Sequence, residues 1–107
     1  MSVIENLPNL ENEIKTIIKT GKYVLGSRRS LKLLKLGKLK SVIMAASAPT
    51  HIREDIKYYA KLSQTPVFIY KGTSYELGAV CGKPFGVLVI GVLDPGDSKL
   101  LELQAQG

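Results

Sequence analysis

The sequence has one cysteine, one histidine, two phenylalanines and no tryptophan. A lone cysteine, Cys81, excludes an internal disulfide and fits a reducing compartment, so a cytoplasmic protein is expected. With His51 as the only histidine, and with no CxxC pair or carboxylate cluster, no metal site and no cofactor is expected. Long apolar runs are scarce as well. The longest, Phe85 to Leu93, is broken by Gly86 and Gly91. It is too short to cross a bilayer, reads as a buried strand, and leaves no membrane contact to expect. The opening MSVIENLPNL has no basic stretch before an apolar run, and no signal peptide is expected. Repeats, low-complexity tracts and linkers are missing. The 107 residues make one domain over 1–107, enough for one core and too few for two.

Acid is missing from one long stretch. Between Glu13 and Glu54 there is no Asp or Glu, while Lys15, Lys19, Lys22, Arg28, Arg29, Lys32, Lys35, Lys38, Lys40 and Arg53 lie there. The remainder carries five basic and nine acidic residues, so the net charge of +6 is concentrated in the first half. Ten uncompensated cations repel one another and add nothing to stability. Their presence points to a polyanion, with nucleic acid favoured over a merely solvated surface.

Helical and strand patterns alternate. Leu10, Ile14, Ile17 and Ile18 follow helical spacing up to Thr20-Gly21. Tyr23 to Leu25 is a short strand. Gly26-Ser27 opens a second helix, with Leu31, Leu34 and either Leu33 or Leu36 inward, stopped by Gly37. SVIMAA (Ser41 to Ala46) is a buried strand, and Ala48-Pro49-Thr50 starts a helix whose apolar face is Ile52, Ile56, Tyr59 and Ala60. Val67 to Tyr70 is a strand. Thr73 to Glu76 has the capping-box pattern for a fourth helix ending at Gly82. Val87 to Leu93 is the last long strand, Asp94 to Asp97 a turn, and Ser98 to Leu103 a short final element.

This order, αβαβαβαβ, implies an α/β fold: a three-layer α/β/α sandwich with a mixed, roughly four-stranded sheet. Right-handed crossovers make the first two strands parallel, with their C-terminal ends on one edge. Ligands of such sheets bind outside that edge, which would carry the loops Gly26 to Ser30 and Ser47 to Thr50.

Gly26-Ser27-Arg28-Arg29-Ser30 follows a strand and opens a helix, where free backbone N–H groups favour phosphate and the two guanidinium groups add planar forks. A plain turn with exposed arginines is the alternative. Neither GxGxxG nor a Walker loop is present. Phe85, between Pro84 and Gly86, is either a core residue at a strand start or an exposed platform for unpaired bases; local sequence slightly favours the core. Cys81 sits one turn from Leu77 and reads as a buried thiol, His51 as a first-turn surface residue, and Glu54-Asp55 as helix-start charge.

Six stretches in order carry a resemblance: TGKYVLGSRRS from Thr20, GKLKSVIMAA from Gly37, DIKYYAKLS from Asp55, GTSYELG from Gly72, GKPF from Gly82 and LDPGDS from Leu93. The chain resembles the archaeal and eukaryotic large-subunit ribosomal protein family L thirty-e, within the L seven-Ae group of kink-turn RNA-binding proteins. The resemblance covers about Leu10 to Leu103. It implies an α/β/α sandwich, no enzymatic activity, and an RNA surface from three loops. Residue by residue, that surface falls on Gly26, Ser27, Arg28, Arg29 and Ser30; on Ser47 and Ala48 with Arg53; and on Phe85, Gly86 and Val87. It moves Phe85 from the core to the RNA. Arg28-Arg29 stands where the wider group commonly has Asn-Glu, which favours the L thirty-e branch. Ser47 replaces an asparagine of some relatives and can donate one hydrogen bond but not a two-pronged contact.

The function implied is a structural constituent of the large ribosomal subunit that binds kink-turn ribosomal RNA. Its expected partners are ribosomal RNA and other large-subunit ribosomal proteins, and the free protein is expected to be a monomer. The rivals are a stand-alone kink-turn protein outside the ribosome and a small α/β enzyme using the Gly26 loop for a phosphorylated substrate.

Overall fold

The computed structural model describes residues 3–4 and 10–98. Its elements are β1 (Val3–Ile4), α1 (Leu10–Thr20), β2 (Lys22–Leu25), α2 (Ser27–Lys35), β3 (Ser41–Ala45), α3 (Thr50–Ser63), β4 (Val67–Tyr70), α4 (Ser74–Val80) and β5 (Val89–Asp94). The expected element from Ser98 to Leu103 falls, beyond Ser98, outside the described residues.

The mixed sheet has the order β1-β4-β3-β5-β2. Four of its strands were expected; β1 adds two residues, Val3 opposite Val67 and Ile4 opposite Phe68. β3 pairs parallel with β4 and antiparallel with β5, and β5 pairs antiparallel with β2. Two strands that are both antiparallel to β5 are parallel to each other, as the crossover argument requires for β2 and β3.

Strand alternation divides the core. Ile43, Ala45, Phe68, Ile90 and Val92 face α1 and α4, packing with Leu10, Ile14, Ile17 and Leu77. Val42, Met44, Val67, Ile69 and Val89 face α2 and α3, packing with Leu34, Ile56 and Ala60. All five residues of β3 are buried, because the central strand is covered on both faces. The result is the three-layer sandwich.

Local chemistry sets the helix ends. Gly37 has φ 69° and ends α2. Its N–H donates to Leu34 O and that of Lys38 to Leu33 O, the paired bonds of a Schellman stop. Leu36, just before it, is exposed, so Leu33 rather than Leu36 joins Leu31 and Leu34 in packing on the core. At α4, Thr73 Oγ1 accepts from the Glu76 N–H and Glu76 Oε1 from the Thr73 N–H, each at 3.2 Å, completing the capping box. The last strand starts at Val89 instead of Val87. The Val87 N–H is drawn away from the ladder to the Ser74 carbonyl, 2.9 Å away.

Candidate nucleic-acid interface

The C-terminal ends of β2 and β3 lie on one sheet edge. Because β5 runs antiparallel between them, the loop before β5 reaches the same edge. Two hydrogen bonds fasten the three loops: Gly26 N–H to Val89 O at 2.9 Å, and Ala45 N–H to Leu88 O at 2.8 Å. Leu25, Gly26, Ser27, Phe85, Gly86, Val87 and Leu88 line a concavity of 240 Å³ between the first and third loops.

Gly26 precedes α2 with φ 109° and ψ 148°, a backbone conformation that side chains disfavour. A β-carbon there would meet nothing within 4 Å, so the surface above it is open. No side chain caps α2. The first N–H turned back into the helix is that of Ser30, which donates to Gly26 O at 3.1 Å. The N–H groups before it face the edge with the partial positive charge of a helix start. α3 opens at the same edge, after Pro49, also without a side-chain cap. Arg28 and Arg29 are exposed. Arg53 is half-buried, its Nη1 donating to the Ala46 carbonyl at 3.5 Å, which ties α3 to the second loop.

The expected site residues do not all reach the surface. Ser47, Phe85 and Gly86 are exposed, and Gly26 and Ser27 are half-buried. Phe85, the residue on which local pattern and resemblance pull apart, is 53% exposed. Ser30, Ala48 and Val87 are buried at 0%, 5% and 3%, and of the three only Val87 borders the concavity between the first and third loops. Ser30 faces β5: a β-carbon at Gly91 would stand 3.0 Å from its Oγ. The three shape the loops from beneath.

The basic half does not converge on this edge either. Arg28, Arg29 and Arg53 do; Lys22 opens β2 and Lys40 precedes β3, at the opposite end of the sheet. Two neighbours of the edge escaped the sequence. Lys71, Gly72 and Thr73, after β4, line a concavity with Ala46 and Ser47; the parallel pairing of β3 with β4 is the signal that places them there. His51 and Asp55 line a groove with Arg28 and Leu31 between α2 and α3.

Little at the edge suggests bond-making chemistry. Cys81 is buried on the α1/α4 side of the sheet, whereas His51 begins α3 on the other side, so they do not form a nucleophile–base pair. Burial pushes the Cys81 thiol up to about 11 against a smaller opposing effect of the Lys83 ammonium. Among the described residues, no group of three His, Cys, Asp or Glu side chains could hold a metal ion. No described helix is long and apolar enough to cross a membrane.

The model of the ribosomal protein L7Ae/L30e/S12e/Gadd45 family matches residues 8–102. The large ribosomal subunit protein eL30 of Sulfurisphaera tokodaii is 50% identical over 97 residues, covering 91% of this chain and 92% of that protein. The eL30 proteins of Methanothermobacter thermautotrophicus and Methanopyrus kandleri are 50% and 53% identical, each covering 89% of this chain and 97% and 87% of their own lengths. A solved protein of unknown function from Bacillus halodurans C shares the fold: TM-score 0.70 at 23% identity, over 90% of this chain and 94% of that one.

Proposed function

The chain belongs to the ribosomal protein L7Ae/L30e/S12e/Gadd45 family, and on that premise we propose that it is a structural constituent of the large ribosomal subunit. Its three-loop edge holds ribosomal RNA of the kink-turn type. Relatives named large ribosomal subunit protein eL30, about half identical over nine-tenths of this chain, support the ribosomal assignment.

The mechanism is shape readout. RNA kinked at an internal loop exposes phosphates and unstacked bases. The uncapped start of α2 and the guanidinium groups of Arg28 and Arg29 receive the phosphates. The open surface at Gly26 allows a close approach, and the ring of Phe85 covers an unpaired base. Bending the RNA costs free energy, which contacts made only in the bent form offset. The protein is not an enzyme and needs no metal or cofactor; the protonated, buried Cys81 is no nucleophile. Other large-subunit ribosomal proteins are its neighbours on the cytoplasmic ribosome. Free in solution it is monomeric and makes no membrane contact.

The observation that carries the reading is the convergence of Gly26, Ser27 and the exposed Phe85 on one concavity at the sheet edge, with Arg28 next in the first turn of α2. Sedimentation of a cell lysate tests the ribosomal assignment. The protein should travel with the large subunit and leave it at high salt; a protein confined to the top of the gradient would exclude that assignment and favour a stand-alone RNA-binding protein.

A further inference from the structure

Helix α4 contains a glycine that its own backbone does not require. Gly78 lies inside α4 and is not among the residues with positive φ. Any residue could adopt its backbone angles. A glycine inside a helix weakens it relative to alanine, because the unfolded chain is freer. A contact from outside the helix must therefore favour glycine.

That contact is the third loop. A β-carbon at Gly78 would overlap the Phe85 carbonyl oxygen, and would lie 3.1 Å from the Phe85 carbonyl carbon and 3.5 Å from the Gly86 α-carbon. These are backbone atoms, unable to rotate aside. The loop is also fastened on either side of the contact. The Lys83 N–H donates to the Gly78 carbonyl and the Val87 N–H to the Ser74 carbonyl, each at 2.9 Å. Between these anchors run Pro84, Phe85 and Gly86, all exposed. A β-carbon at Gly86 would stand 2.9 Å from Ser74 Oγ, so this residue too lies close on the helix.

We propose that Gly78 is a positioning residue of the RNA interface. By lacking a side chain it lets the loop lie flat on α4, and so fixes the height and direction at which the Phe85 ring is offered to an unpaired base. α4 lies on the sheet face opposite α2 and α3. Gly78 thereby acts on the RNA site through the loop that covers it. The inference rests on the reading of Phe85 as an RNA platform.

The test uses Gly78→Ala and, as a control, Ala79→Gly at the exposed neighbouring position of the same helix. Each is titrated with a kinked RNA carrying a fluorescent base analogue at the unpaired position of its internal loop. Gly78→Ala should lose about tenfold in affinity, within the range for one base–aromatic stack, and should lose quenching of the analogue at saturation. Ala79→Gly, which weakens the helix but leaves the loop alone, should keep both. Unchanged affinity and quenching in Gly78→Ala would overturn the proposal. Phe85→Ala run alongside separates the two levels. If it too binds as before, the platform reading itself is wrong; if it alone loses affinity, only the role of Gly78 is wrong. Should Gly78→Ala fail to fold, the Val87 amide of the unaltered protein decides. A docked loop requires slow hydrogen exchange there without RNA, and fast exchange would overturn the proposal.

Discussion

The hydroxyl of Ser30 faces the α-carbon of Gly91 where α2 crosses β5. A β-carbon at Gly91 would lie 3.0 Å from Ser30 Oγ and 3.0 Å from Leu39 Cδ1. Two small residues let the helix sit close on the strand. Ser30 Oγ is fully buried there and has no hydrogen-bond partner among the described residues.

An unpartnered buried hydroxyl costs about 1–3 kcal/mol, which outweighs the loss of one packed oxygen when Ala leaves only the methyl group. Ser30→Ala should therefore keep or raise the melting temperature and leave RNA affinity as it was. A fall in affinity without a fall in stability would show that Ser30 acts at the RNA.

Arg28 is the opposite case, exposed at the rim of the site. Arg28→Ala should change stability by no more than about 0.5 kcal/mol. Its RNA affinity should fall by about 1–3 kcal/mol if the guanidinium reads a base edge; if it holds phosphate, the salt slope should instead drop by about one unit. Titrations at several salt concentrations distinguish these, and a collapse of the melting temperature would mark Arg28 as structural.

Phe85 separates packing from binding. A residue that is 53% exposed cannot leave the full cavity of a core residue. Phe85→Ala should cost well under the roughly 3–5 kcal/mol of a buried phenylalanine. Its RNA affinity should fall by about 1–3 kcal/mol, the worth of one base–aromatic stack. Melts and titrations of the same variant measure both. A large stability loss with unchanged affinity would return Phe85 to the core.

Cys81 gives the fold a pH dependence. Its thiol is pushed from an ordinary 9.0 up to about 11 by burial. The folded state thus holds the proton more tightly than the unfolded chain. The associated stability is fully present below pH 9 and is lost as pH rises toward about 11. Burial and the nearby Glu11 raise Tyr70 in the same direction, so Cys81→Ala should remove part of the alkaline slope and not all of it. An unchanged slope in that variant would contradict the assignment.

Much of the fold is legible in local chemistry. The unbroken SVIMA run marks a strand covered on both faces, Thr73 and Glu76 announce a helix start, and Gly37 a helix stop. What local pattern misses is non-local. Nothing within Val89–Asp94 says that this strand inserts antiparallel between β2 and β3, yet that insertion brings the third loop to the site. The resemblance supplies that loop because it compares whole chains. Ser30 looks like one more polar residue of a helix start; its burial depends on Gly91, sixty-one residues later. Val87 looks like strand until the Ser74 carbonyl claims its N–H.

The central claim is that the three-loop edge recognises the shape of bent RNA rather than its charge alone. Titration of the protein with a kinked internal-loop RNA and with a plain duplex of equal length, at the same moderate salt, tests it most directly. Specific nucleic-acid complexes typically exceed non-specific ones by about a thousandfold or more, and the kinked RNA should win by a margin approaching that. Equal affinity for the two RNAs would contradict the account and leave only counterion-driven attraction to the basic half of the chain.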